Sequence, residues 1–181
     1  MRIFHILVLV ISISFLENCR PNHDRMGLII HLENNNFGNA YELSSQMIEK
    51  YPNIAEAWYY FGVLSGMMEK YSDFTKALMN ARTLEGNPNV YLPFSMEKGK
   101  MKLQEAVIVS EIHFFYINIG DVEKLVGKIA IEGEKEMNAK YLNIAEEKLN
   151  NAKLIDPGNA RIEFLSKVIA DYKKILSDTN E

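Results

Sequence analysis

From Phe37 onwards the apolar residues of this chain recur with the period of an α-helix, and proline punctuates the recurrence. Ala40, Leu43, Met47 and Ile48 stand at i, i+3, i+7 and i+8, which places them on one helical face. Glu49-Lys50-Tyr51-Pro52 ends that helix, because the residue before a proline is pushed out of the α region. A second apolar run with Ala57, Trp58, Phe61 and Leu64 follows. A helix with one apolar face must bury it against another element, so the pattern predicts an all-α fold.

These stretches resemble the tetratricopeptide repeat family, whose unit of ~34 residues is two antiparallel helices. Phe37, Ala40, Met47 and Pro52 stand at the spacing of its second helix, and Trp58, Phe61 and Gly62 at that of the following first helix. In such a pair Gly62 and Ala40 are small where two backbones approach, and Trp58 and Phe61 fill the groove beside them. Phe74, Ala77, Ala81, Leu84 and Pro88 read as the next second helix. Between Gly62 and Ala77, around Gly66-Met67-Met68-Glu69-Lys70, there are about three residues more than the consensus.

Near the C-terminus Leu142, Ala145, Leu149, Ala152, Asp156 and Pro157 follow the second-helix spacing again, which puts Ile129 and Gly133 at the Trp and Gly positions of their first helix. Ile162, Leu165, Val168, Ile169 and Tyr172 then share a face over 161–176, as a capping helix needs. The resemblance therefore implies antiparallel helix-pair repeats, a tetratricopeptide-like α-solenoid over 37–176. A C-terminal capping helix closes it, and 177–181 is a frayed tail.

Tyr91 to Asp121 fits the repeat poorly. Pro93 or Ser95 can start a helix, and Met96, Met101, Leu103, Val107, Val109 and Ile112 continue a helical pattern. The run Ile112 to Ile119 is rich in β-branched and aromatic residues and also suits a strand. We read it as a long helix, because no second strand in the chain could pair with it. Gly120-Asp121 is expected to stop this helix and cap the next.

Ahead of the periodic region lies a segment of another kind. Met1-Arg2 is a short positive start, and Ile3 to Leu16 is apolar apart from His5, Ser12 and Ser14. That is the character of a secretory h-region, and it is shorter than the roughly 20 residues of a spanning helix. Leu16-Glu17-Asn18-Cys19 follows, with the one cysteine of the chain, and resembles the lipobox of bacterial lipoproteins. The resemblance implies a signal peptide over 1–18 and a lipidated Cys19 as membrane anchor. An ordinary signal peptide, or an uncleaved anchor with an incidental thiol, is the other reading. Residues 19–36 are then a tether and a first short helix.

The charge balance narrows the partners. A net charge of −4 without basic clusters argues against nucleic acid and against electrostatic docking to anionic lipid. His5, His23, His31 and His113 have no His or Cys at metal-ligand spacing, and no nucleophile elbow, phosphate loop or dinucleotide fingerprint is present. His113 reads as a half-buried core histidine. Gly99, Gly127 and Gly133 read as points of close helix packing, and Glu132, Glu134, Glu136, Glu146 and Glu147 as solvated faces. The expectation is a protein that is not an enzyme and takes no cofactor, metal or small-molecule substrate.

In the tetratricopeptide family, peptides lie in the concave groove lined by the first helices. The resemblance implies a partner-binding face of Glu56, Tyr59, Tyr60, Val63 and Met67, with exposed tyrosines as recognition residues. The alternative is that Tyr59 and Tyr60 pack against neighbouring helices. Met67, Met68, Met96 and Met101 either add an adaptable lining or belong to the core. The expected function is a lipid-anchored adaptor of the bacterial envelope, at the periplasmic face or cell surface, binding a partner protein or peptide. An accessory of outer-membrane assembly is one version; a surface lipoprotein contacting host molecules is the second reading.

Overall fold

A computed structural model describes residues 22–84, 86–94, 99–132 and 135–178. Among them the chain forms α1 (22–33), α2 (Phe37–Lys50), α3 (Ala55–Met67) and α4 (Tyr71–Thr83), then β1 (Asn89–Tyr91) and β2 (Lys100–Lys102). Three longer helices follow: α5 (Leu103–Glu132), α6 (Lys135–Ile155) and α7 (Ala160–Asp178). The protein is mostly helical, and neighbouring helices pack in pairs. Among the described residues no helix is long and apolar enough to cross a membrane.

The pairs α1–α2 and α3–α4 share one turn. Asn35 (φ 56°) and Glu69 (φ 62°) stand 34 residues apart in the left-handed region. In the first turn the Asn36 N–H reaches His31 O at 2.8 Å and the Asn35 N–H reaches Leu32 O at 3.1 Å. In the second, the Lys70 N–H reaches Ser65 O at 2.8 Å and the Glu69 N–H reaches Gly66 O at 3.0 Å. Both satisfy the last carbonyls of a helix with a left-handed C-terminal cap. The segment around Gly66 to Lys70 thus keeps the turn of the preceding pair.

A second turn also recurs. Between α2 and α3, the Ile54 N–H bonds Tyr51 O at 3.1 Å and the Ala57 N–H bonds Ile54 O at 3.1 Å. Between α6 and α7, the Asn159 N–H bonds Asp156 O at 3.4 Å and the Ile162 N–H bonds Asn159 O at 2.9 Å. Pro52 and Pro157 occupy the same place in the two loops, where the absent N–H costs no bond.

Close approach of α3 and α4 depends on glycine. A Cβ on Gly62 would come within 2.9 Å of Leu78 Cδ2 and 3.1 Å of Ala77 Cβ. One on Gly66 would meet the Phe74 ring at 2.8 Å. By contrast, a Cβ on Gly99 or Gly127 meets nothing within 4 Å, so these two do not mark close packing. Gly133 and Met96 lie outside the described residues.

The described residues bury two apolar clusters. The larger joins Leu28 and Leu32 of α1 to Tyr59, Tyr60, Phe74, Leu78, Val90, Leu92 and the first turns of α5. Residues 22–33 are a short helix, as expected within 19–36, and it packs into the folded body. The smaller cluster joins Phe115, Ile119 and Val122 of α5 to Leu142, Ala145 and Leu149 of α6 and Ile162, Leu165 and Ile169 of α7.

The region after α4 departs from expectation. Val90 pairs with Met101 in an antiparallel hairpin, and α5 starts at Leu103 rather than near Pro93 or Ser95. Asn87 Oδ1 accepts the Gln104 N–H at 3.2 Å and so caps α5 from across the hairpin. Nor does Gly120-Asp121 stop α5, which runs on to Glu132. A lone glycine costs a helix only about 1 kcal/mol, and the packing of Phe115, Ile119 and Val122 on α6 and α7 outweighs that.

Candidate functional site

The face of α3 expected to meet a partner lies inside the molecule. Tyr59, Tyr60 and Val63 are fully buried. The segment after α4 is the cause, because β1 and the start of α5 fold across α3. The Tyr59 hydroxyl lies 3.4 Å from Ser110 Oγ of α5, and the Tyr60 hydroxyl accepts the Tyr91 N–H at 2.8 Å. Burial pushes both phenol pKa values up, and these hydrogen bonds offset it only in part.

Glu56 is largely buried and faces Arg25 of α1, with Nε and Oε1 2.7 Å apart. Burial raises the Glu56 pKa against the pull of the guanidinium. Arg25 also donates to Asn89 O at 3.1 Å. Glu56, Tyr59, Tyr60 and Val63 therefore hold α1, α3, the hairpin and α5 together; Tyr59 and Tyr60 are not an exposed row but pack against their neighbours, the alternative the sequence left open. Cys19 lies outside the described residues.

Met67, the last residue of α3, is placed differently. It lines two cavities of about 250 Å³ each, and Phe94 lines both as well. The first is lined by uncharged residues, Asn35 and Tyr91 among them. Leu32 and Phe37 flank its α1–α2 turn, and Leu92 and Pro93 follow β1 on the other side. The second has an aromatic and aliphatic wall of Phe114 and Ile117, with Glu69, Tyr71, Asp121 and Lys148 at its polar end. Together they form a groove along the turn side of the helix pairs.

The polar end is electrostatically organised. Lys148 Nζ donates to Glu69 Oε1 at 3.1 Å and stands 5.7 Å from the centre of the Tyr71 ring. Burial alone lowers a lysine pKa, but Glu69, Tyr71 and Asp121 outweigh it here and hold Lys148 above its ordinary value. His113 lies flat on Phe94, centroids 4.2 Å apart and planes 6° apart. Burial lowers its pKa, so the imidazole is neutral at neutral pH. The half-buried core histidine expected from the sequence thus also edges the groove.

Such a groove suits non-covalent recognition: an uncharged compartment for a side chain beside a compartment with a fixed cation and two carboxylates. Among the described residues no three His, Cys, Asp or Glu side chains gather as a metal site. Sequence reasoning found Met67 but missed Phe94 and Lys148. The run Tyr91-Leu92-Pro93-Phe94, apolar between turn-forming residues, was the available signal for the first. Lys148 carries no signal, since only the packing of α6 beside the α3–α4 turn brings it there. No family model matches the sequence, and no curated protein matches it either.

Proposed function

We propose that this protein is a lipid-anchored, tetratricopeptide-like helical adaptor of the bacterial envelope, holding an extended segment of a partner protein in the groove beside Met67 and Phe94. The observation that carries the reading is that Met67 and Phe94 line both an uncharged and a charged compartment. An extended segment laid there meets a pocket for an uncharged residue and then groups that hydrogen-bond and pair. The repeat reading is supported by the turn that recurs at a 34-residue interval and by Gly62 and Gly66 between α3 and α4. The anchor rests on Leu16 to Cys19.

A site-specific photocrosslinker tests the groove in cells. Placed at Met67, it is expected to trap a partner, and the adduct is expected to disappear in a Phe37→Asp or Lys148→Glu background. The same probe at Met79, exposed on α4, is expected to give no such adduct. Identical adducts from both positions, insensitive to the groove substitutions, would sink the proposal. Thermal melts of each variant separate loss of binding from loss of fold.

A further inference from the structure

We propose that the end of the helical stack opposite the groove seats on the bilayer that receives Cys19, so that the groove is displayed about one helix length away from the membrane. This orientation rests on the lipidation reading.

Chain length carries the first step. Cys19 precedes residue 22, where α1 is already helical, by three residues, and three residues reach at most about 10 Å. Helix α1 itself rises about 18 Å over 22–33. Acyl chains on Cys19 are thus confined to the end of the stack where α1 begins.

Polarity carries the second. Arg25 near the start of α1 pairs with Glu56 near the start of α3 at 2.7 Å. Lys50 at the end of α2 pairs with Asp24 at 3.2 Å. The start of α1, the end of α2 and the α2–α3 loop therefore share one end. The groove is lined by Asn35 in the α1–α2 turn and by Met67 at the end of α3, which is the other end.

Surface chemistry carries the third. The four charges just named pair with one another, exposed Glu49 and a cavity of about 520 Å³ lined by His23, Asp24, Lys50 and Tyr51 lie beside them, and Met26 (57 % exposed) and Ile54 (37 %) offer apolar side chains. A rim of that kind can enter the lipid interface without drawing on a basic patch, because the acyl chains supply the affinity.

The native lipoprotein, purified from membranes and reconstituted in phosphatidylcholine vesicles, tests this orientation. An NBD fluorophore is attached at Ile54→Cys or at Asn35→Cys, the acylated Cys19 being closed to thiol reagents. Lipids with a nitroxide near the headgroup are expected to quench the probe at position 54 several-fold more than the probe at position 35. Equal quenching, or the reverse order, on protein that incorporates palmitate overturns the orientation and leaves the anchor standing. Absence of palmitate incorporation overturns the anchor, and the orientation with it.

Discussion

The two halves of α5 lie in different cores, and those cores are built differently. Around its first half, α3 is covered on every side, and the core is aromatic: Tyr59, Tyr60, Phe74 and Phe114 are all buried. Around its second half, α6 and α7 each bury one stripe of mainly Leu, Ile and Ala side chains, and Phe164 on α7 stays 65 % exposed. Phe114 and Phe115 are neighbours in sequence yet belong to opposite clusters, because one helical step turns a side chain through about 100°. A helix pair becomes an enclosed core where a later segment folds over it, as β1 and α5 do over α3, and stays an open layer where none does.

The largest test of that contrast is a pair of truncations. Phe74 is fully buried with its ring edge-on to Phe114 at 4.9 Å, so Phe74→Ala should cost about 3–5 kcal/mol. Leu165→Ala in the open layer should cost about 2–3 kcal/mol, near the lower end for such changes, since the exposed side of α7 can relax. Urea unfolding monitored by circular dichroism measures both. A larger loss for Leu165→Ala would break the comparison.

Ion pairs sharpen it next. Arg25→Ala leaves Glu56, whose side chain is 13 % exposed, without its cation, at a cost of about 1–3 kcal/mol at neutral pH. The pKa of Glu56 is raised in the folded protein, so the folded state holds the proton more firmly than the unfolded one. Its contribution is therefore full below the unfolded value of 4.5 and is lost as pH rises through the raised value. The deficit of Arg25→Ala should accordingly shrink on acidification. Lys173, paired with Glu146 on the open layer at 2.5 Å, is solvated, and Lys173→Ala should cost no more than about 1 kcal/mol. A salt-insensitive loss of more than that would show the outer pair to be structural.

Glycine gives the two regions opposite signs. Gly62→Ala drives a Cβ against Ala77 Cβ, which is fixed to the α4 backbone and cannot rotate away, so a loss of about 1–3 kcal/mol is expected. Gly127→Ala meets open space in a helix interior and should raise stability by about 0.5–1 kcal/mol. Thermal melts that move in the same direction for both would remove the distinction.

These same positions show what the sequence could reveal. Ala40, Met47, Gly62 and Phe74 announced their helices because each buries a face set by local period, and Pro52 and Pro157 marked real loops. Asn89 to Lys102 did not announce a hairpin, although Lys100-Met101-Lys102 alternates with the period of a strand. Its strands are only three residues each, too short to outweigh a helical reading of their neighbours. For the same reason the sequence left open whether Tyr59 and Tyr60 are exposed or packed, and the structure shows them packed. Local spacing put them correctly on one helix, but burial depends on a segment more than thirty residues away, at Tyr91, and on Ser110. Only Met67, at the end of α3, was read as a surface residue and also lines the groove.

The smallest effect is confined to the enclosed half. All four histidines precede residue 114, so α6 and α7 contribute no imidazole titration. His113 is stacked on Phe94, and burial lowers its pKa below the ordinary 6.5. The unfolded chain therefore binds this proton more readily than the folded one does. The sign follows: stability from His113 is full above the unfolded value and is lost as pH falls through the depressed folded value. His113→Phe keeps a ring on Phe94 and removes the proton. Melting temperatures taken from about pH 5 to about pH 7.5 should then rise less steeply with pH in His113→Phe than in the unaltered protein. An unchanged slope would mean that burial against Phe94 does not hold the His113 proton equilibrium away from that of the unfolded chain.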